Sequence, residues 1–307
     1  MSGQCKYAGK QFKIIQHKEI VGGDDAVYEF RVEAPDIARN AQAGQFVIVR
    51  CDDGGERIPL TIADFDPEAG WISLIFQVVG RSTADLGRLV LGDEIVDVLG
   101  PLGTPIPVHK YDKPVICVGG GIGVAPIYPK VKALRAKGTE VISIIGARNK
   151  GLLILEDEMR AQSSELHITT DDGSYGRKGF VTQALHDIVE ERNGEIEEVI
   201  AVGPIPMMQA VVKEVAGKQW NESYNPHEDY SPDFIKTIVS LNPIMVDGTG
   251  MCGGCRINLW DPEKNAYNPE YTCVTGPAYD GHCVDFETMV QRNKQYIPQE
   301  KLVIENG

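Results

Sequence analysis

The stretch of the 307-residue chain richest in potential ligands is Asp247-Gly-Thr-Gly-Met-Cys252-Gly-Gly-Cys255, followed after seventeen intervening residues by Cys273. Plant-type [2Fe–2S] proteins space their ligands C-x4-C-x2-C…C, and this run has that spacing with Asp247 in the first position. A carboxylate can bind ferric iron as a harder donor than thiolate. Glycines 248, 250, 253 and 254 suit a loop that approaches sulfide closely and turns without a Cβ. Two other readings use the same residues. A structural zinc site would take Cys252, Cys255, Cys273 and either His282 or Cys283, although zinc ribbons usually close with a second C-x2-C and nine residues separate Cys273 from Cys283. Buried, unligated thiols are the third reading, and Cys5, Cys51 and Cys117 are assigned that way. Cys283 stays open beside Asp247 as fourth iron ligand.

A second motif follows Val115-Ile-Cys-Val118, where Gly119-Gly120-Gly121-Ile122-Gly123-Val124-Ala125-Pro126 leads into a helical pattern. Backbone amides at such a turn can meet a pyrophosphate without side-chain interference. The fingerprint G-x-G-x-x-G is not met, since Val124 holds the third glycine position, and tight helix–strand packing competes as the explanation. Two later loops, Asp171-Asp172-Gly173 and Gly203-Pro204-Ile205-Pro206-Met207-Met208, fall at carboxyl ends of parallel strands, where a nicotinamide nucleotide would lie. The acidic pair can accept hydrogen bonds from ribose hydroxyls and would repel a 2′-phosphate, which favours NAD(H) over NADP(H); a solvated Asp-Gly turn is the alternative. Arg148 is a counter-signal, able to pair with phosphate from the same edge. Nearer the N-terminus, Arg57-Ile58-Pro59-Leu60-Thr61 opens a strand and Gly80-Arg81-Ser82-Thr83 precedes a short helical segment, 84–89. Arg57 can fork onto a phosphate and Gly80 to Thr83 can offer amides and hydroxyls to another, though an edge strand with a surface charge is the plainer reading.

Elements must hold these groups in place. From about residue 10 to 107, short β-branched and aromatic runs at 12–15, 26–32, 45–49, 71–79 and 94–99 alternate with turn signals, which predicts an antiparallel barrel. After Pro107 the pattern becomes strand 115–118, helix 125–137 and strand 140–145, repeated through 167–170, 180–191 and 199–202, so a parallel sheet covered by helices is predicted. Residues 217–234 are polar and proline-interrupted, and read as an insertion or an exposed linker. With 44 acidic against 30 basic side chains, the net charge of −14 opposes binding to nucleic acid or anionic lipid. No apolar stretch is long enough for a membrane span, Met1 to Lys6 lack a signal-peptide core, and seven cysteines suit reduced ligand thiols, so a cytoplasmic protein is expected.

The order Arg57-x-Pro59-Leu60-Thr61, the glycine run at 119–126, Gly203-Pro204 with Met207-Met208, and a final cysteine cluster resembles the ferredoxin-reductase superfamily. More narrowly it resembles a branch of electron-transfer subunits, those of dihydroorotate dehydrogenase, sulfide dehydrogenase and NADH-dependent reduced ferredoxin:NADP oxidoreductase, and residues 239–256, with Gly276-Pro277 and 279–286, resemble the last two. In the dihydroorotate branch the position of Asp247 is normally cysteine, so the aspartate separates the branches. The resemblance implies a multidomain fold: an FAD-binding antiparallel β-barrel at 1–107, an NAD(H)-binding α/β domain at 108–235 and a small [2Fe–2S] domain at 236–307. It implies that Arg57, Pro59, Leu60 and Thr61 contact FAD, with Thr61 near the flavin N5 as the catalytic contact, and that Gly80, Ser82 and Thr83 hold the FAD phosphate. Gly119, Gly120, Gly121, Gly123, Val124, Ala125, Pro126, Asp171, Asp172, Gly203, Pro204, Met207 and Met208 would bind NAD(H), and Asp247, Cys252, Cys255 and Cys273 the cluster. The implied activity is hydride exchange between NAD(H) and FAD, then single-electron passage through the cluster to a large flavin and [4Fe–4S] subunit, with ferredoxin and NADP(H) as distal couples and electron bifurcation as an option of the complex. A zinc-stabilised NAD-binding redox sensor without turnover is the rival class. This sequence departs from the family pattern in Leu60, which replaces a flavin-stacking tyrosine, and in longer segments at 217–234 and 261–270.

Overall fold

Short alternating strands bury one face only, and in the first hundred residues that requirement rolls one antiparallel sheet onto itself. The computed structural model describes residues 12–219 and 221–294; Cys5 and the N-terminal segment read above lie outside them. The elements are β1 (Phe12–Val21), β2 (Val27–Glu33), α1 (Pro35–Asn40), β3 (Phe46–Arg50), β4 (Ile58–Asp66), β5 (Trp71–Gln77), α2 (Arg81–Gly87), β6 (Glu94–Ile95) and β7 (Asp97–Leu102). The sheet order is β6-β1-β2-β5-β4-β3-β7. Only Val96 separates β6 from β7, so one chain segment pairs with β1 on one side and β3 on the other, closing the barrel. That double duty splits the strand expected at 94–99. Ile14, Phe30, Val47, Val49, Leu74 and Phe76 fill the interior. Unanticipated α1, started by Pro35, buries Ile37 and Ala38 against that core.

The second sheet contains β8 (Val115–Gly120), β9 (Val141–Ala147), β10 (Glu165–Thr170), β11 (Arg177–Lys178), β12 (Glu198–Val202) and β13 (Lys236–Ser240), all parallel. Connecting helices are α3 (Val124–Ala136), α4 (Glu156–Gln162), α5 (Val181–Glu191), α6 (Ile205–Val215) and short α7 (Pro226–Asp229). The chain then forms a hairpin of β14 (Arg256–Asp261) and β15 (Ala266–Tyr271), α8 (Thr272–Thr275), β16 (Ala278–Asp280) and α9 (Phe286–Lys294). Sheet order is β11-β10-β9-β8-β12-β13-β16, so the winding reverses between β8 and β12 and leaves a crevice at their carboxyl ends. The sheet runs across the division expected at 235/236: β13 pairs with β12, and β16 joins β13 antiparallel. Among the described residues no helix is long and apolar enough to cross a membrane.

Two contacts fix the barrel to this sheet. Val124, Ala125 and Ile127 of α3 share one buried core with Val27, Ala63 and Ile75 of the barrel. Lys132 pairs with Asp64 at 2.7 Å beside it. Residues 217–234, expected as an insertion or an exposed linker, are mostly exposed but pinned to the fold. Tyr224 is buried in the main core and its hydroxyl donates to the His282 carbonyl at 3.0 Å, while Lys218 pairs with Asp229 at 2.6 Å. A single anchoring aromatic in a proline-interrupted segment packs without any helical or strand period, so periodicity does not reveal it.

Candidate functional site

The cysteine loop sits on the outside of the barrel. Cys255 and Cys273 are buried with Phe46 and Ile48 of β3, Met245 and Leu102. Their Sγ atoms lie 3.2 Å apart, placed by the hairpin register Arg256↔Tyr271 that immediately follows one cysteine and precedes the other. Two unbonded thiols this close suit ligands of one iron. The second pair is Asp247 and Cys252: the carboxylate accepts the Cys252 amide at 2.7 Å and the Thr249 amide at 3.0 Å. Partial burial works against ionisation, yet those amides hold the Asp247 carboxyl down at about 2. Burial, then the neighbouring Cys255, push the Cys273 thiol up to about 12. Gly248, Gly250 and Gly253 all take positive φ, so the loop bends back toward the thiols in a way that side-chain-bearing residues resist. The donor set and its pairing therefore fit a two-iron cluster.

The rival ligands are elsewhere. Val284 bridges to Leu259, four residues along β14 from Cys255, about 13 Å at strand rise, which takes Cys283 toward the far end of the hairpin. His282 is held between Tyr224 and the Ile235 carbonyl. Among the described residues no three His, Cys, Asp or Glu side chains converge on one metal position, as mononuclear zinc would need.

On the barrel, Phe46 opposes Thr61 and Ile48 opposes Pro59, so Thr61 and Pro59 share the outer face on which the cysteines pack. Leu60 turns the other way and packs against the barrel core. A cavity of about 320 Å³ lies between α2 and the 51–58 segment, lined by Cys51, Gly54, Gly55, Glu56, Ile58, Arg81 and Ser82 among others. Its size suits part of a dinucleotide, and Arg81, paired with Asp85, and Ser82 are its phosphate-binding candidates beside the carboxylates of Asp52, Glu56 and Asp85. Arg57 pairs with Asp97 at 3.2 Å, Ser82 donates to Glu56 at 3.1 Å, and the Thr83 hydroxyl accepts the amides of Val79 and Gly80. Thr83 thus shapes the turn before α2. Cys51, expected in the core, instead is half-buried in the cavity wall, while Cys117 is fully buried as expected.

At the crevice between β8 and β12 the glycines divide by role. A Cβ on Gly123 would collide with the Val202 carbonyl, one on Gly120 with the Met207 sulfur, and one on Gly119 would crowd Val124. Tight packing explains these three. Gly121 has φ +55° with open space beside it, which leaves its backbone available to a ligand. Val124 and Ala125 face the shared core and Pro126 is half-buried. Met208 is core, whereas Met207 lies against Gly120 and Gly203. Pro204 is exposed. Asp171 and exposed Asp172 close β10; Asp172 accepts the Ser174 amide at 2.9 Å and is held below the usual carboxylate range, first by Ser174. Arg148 pairs with Asp25 of the barrel at 2.7 Å.

Sequence reading missed Phe46, Ile48 and Leu102 under the cysteines, Arg81 in the cavity and Arg292, which donates to the Gly254 carbonyl at 3.2 Å. A signal existed for the first pair: Phe46 to Val49 is apolar at every position, the mark of a strand covered on both faces.

Residues 242–285 match the iron-sulfur cluster binding domain of dihydroorotate dehydrogenase B, and residues 117–213 an oxidoreductase NAD-binding domain. A dihydroorotate dehydrogenase B (NAD(+)) electron transfer subunit homolog of Thermotoga maritima is 40% identical over 91% of this chain and 90% of its own length. The dihydroorotate dehydrogenase B (NAD(+)) electron transfer subunit of Fusobacterium nucleatum is 31% identical over 85% and 93%. A solved structure of NADH-dependent reduced ferredoxin-NADP oxidoreductase, described for flavin-based electron bifurcation, contains a chain 36% identical, covering 99% of both chains with a TM-score of 0.83.

Proposed function

The chain belongs to the family of dihydroorotate dehydrogenase B electron-transfer subunits and their homologues, and from that membership we propose that it is the NADH-facing subunit of a ferredoxin:NADP oxidoreductase complex. It is a flavin- and iron–sulfur-dependent oxidoreductase subunit that binds NAD(H). The observation that carries the reading is the buried Cys255–Cys273 pair seated on β3, whose partner strand β4 presents Thr61 and Pro59 on the same face. When bound, FAD and a [2Fe–2S] centre supply the change from two-electron hydride exchange to single-electron passage.

The protein's own part is placement. Asp171 and Asp172 receive ribose hydroxyls, the backbone at Gly121 meets the pyrophosphate, and Gly203 and Met207 close the crevice. Arg57, Arg81 and Ser82 hold the flavin's phosphates, and Thr61 and Pro59 border its ring. The apolar core shared by α3 and the barrel fixes the angle between the two nucleotide sites and excludes water from their junction. Asp247, Cys252, Cys255 and Cys273 hold the cluster. Asp247 also favours this complex over the dihydroorotate branch, where that position is normally cysteine. Around the loop, Ile244, Val246, Met251 and Val274 are exposed, with Met251 at 90%, which suits docking of a large flavin and [4Fe–4S] subunit with ferredoxin and NADP(H) beyond it. Reduced thiols at the site suit a cytoplasmic setting.

Anaerobic titration of the purified chain tests this. NADH should bleach the flavin and then raise the electron paramagnetic resonance signal of a reduced [2Fe–2S] centre, with NADPH slower at equal concentration. Stoichiometric zinc without acid-labile sulfide would replace the reading by the redox-sensor class. Co-purification from the native host should yield a [4Fe–4S] flavoprotein; a dihydroorotate-oxidising partner would move the chain to the other branch.

A further inference from the structure

We infer that Arg292 of α9 sets the reduction potential of the cluster held by the Asp247–Cys273 set, a role that rests on the cluster reading above. Its Nη2 donates to the carbonyl of Gly254 at 3.2 Å. Gly254 lies between two ligands, Cys252 and Cys255, and its own amide donates to the Cys252 sulfur at 3.4 Å. The guanidinium is therefore tied to the backbone that joins the two pairs of ligands.

Packing makes this placement rigid. Phe286 and Met289 bury one face of α9 in the main core, and Arg292 lies one turn beyond Met289. Arg292 lines a small cavity with Arg256, Asn258, Asp285 and Thr288, walled on its apolar side by Pro243, Ile257 and Met289. The carboxylate there, Asp285, is held by the Thr288 amide at 3.0 Å and by Asn258 at 3.4 Å. Among the described residues no carboxylate forms an ion pair with Arg292. Its charge remains directed at the loop.

Charge arithmetic gives the sign. Two ferric ions and two sulfides carry +2, and three thiolates with one carboxylate bring the oxidised centre to −2; one electron takes it to −3. A neighbouring cation stabilises the more negative state, so it raises the potential. In a chain of net charge −14, a fixed local cation matters more for this step than average surface charge would suggest.

The test is a redox titration of the holoprotein followed by electron paramagnetic resonance, with iron and sulfide assayed in parallel. Arg292→Gln should keep its iron and sulfide and titrate with about tenfold less reduced cluster at a given potential, equivalent to about 59 mV for one electron. Arg292→Lys should lie nearer to wild type and Arg292→Glu beyond Gln. Equal potentials for Gln, Lys and wild type, with the cluster intact, overturn the inference. If the Gln variant loses its cluster, a Lys variant that retains it at the wild-type potential supports a charge role. A Lys variant that also loses it overturns the inference in favour of structural support. Wild-type protein without iron and sulfide would instead remove the cluster reading itself.

Discussion

Phe46 is the cross-strand partner of Thr61, and the same side chain is buried with Cys255 and Cys273. One aromatic ring thus separates the strand position assigned to the flavin from the thiols assigned to iron. Phe46→Leu should leave NADH-driven flavin bleaching within about twofold of wild type, because the crevice at β8 and β12 is untouched. The later rise of the cluster signal should slow, and the protein should lose about 1–3 kcal/mol from the cavity created. Stopped-flow traces in which both phases change equally would show that Phe46 does not separate the two steps.

The glycine turn offers a paired test. Gly121→Ala places a Cβ in open space at φ +55°, at a cost of roughly 1–2 kcal/mol, and should weaken NADH binding far more than folding. Gly123→Ala drives a Cβ into the Val202 carbonyl and should destabilise by about 3 kcal/mol or prevent folding. Denaturation midpoints beside NADH titrations separate them; equal loss of stability in both variants would remove the ligand role given to Gly121.

Much of this was legible because it follows from periodicity and spacing. Alternating runs gave the barrel strands, the change of period near Pro107 gave the parallel sheet, and D-x4-C-x2-C gave the cysteine loop. What escaped depends on contacts distant in sequence. Phe46 lies more than two hundred positions from Cys255, and nothing local to either names the other. The glycine run was ambiguous for a physical reason, since glycines that admit a neighbouring backbone and one that admits a ligand look alike until Val202 and Met207 are in place. The contact between Tyr224 and His282 escaped similarly, although His282 stood out as a metal-ligand candidate, because a buried polar pair has no period.

That pair sets a pH dependence. Burial lowers the pKa of His282 from its ordinary 6.5, outweighing the nearby Asp280 charge and the Ile235 carbonyl; Tyr224 faces the other ring nitrogen. The folded chain therefore keeps the ring neutral where the unfolded chain takes up a proton. This contribution is fully present above about pH 6.5 and is lost as pH falls toward the lower folded value, with a slope of at most about 1.4 kcal/mol per pH unit. His282→Gln should flatten urea midpoints between about pH 7 and pH 5. An unchanged slope in that variant would assign the acid sensitivity to other groups.

Asp247 has a second possible occupation, since both its carboxylate oxygens already accept loop amides, from Thr249 and Cys252. A purely structural aspartate would need nothing more. Each oxygen keeps a lone pair, however, and the same hydrogen bonds hold the group ionised at about 2, ready to bind a hard ferric ion without releasing a proton at neutral pH. Asp247→Asn keeps one of the two loop hydrogen bonds, since its carboxamide has a single acceptor oxygen, and removes the anionic donor, so it should lose or weaken the cluster. Asp247→Cys should retain a cluster with an altered visible spectrum and potential. Cys283→Ser, toward the far end of the hairpin, should change neither. If Asp247→Asn binds iron and sulfide at wild-type stoichiometry with an unchanged spectrum while Cys283→Ser loses both, Asp247 is a turn residue and the fourth ligand lies with Cys283.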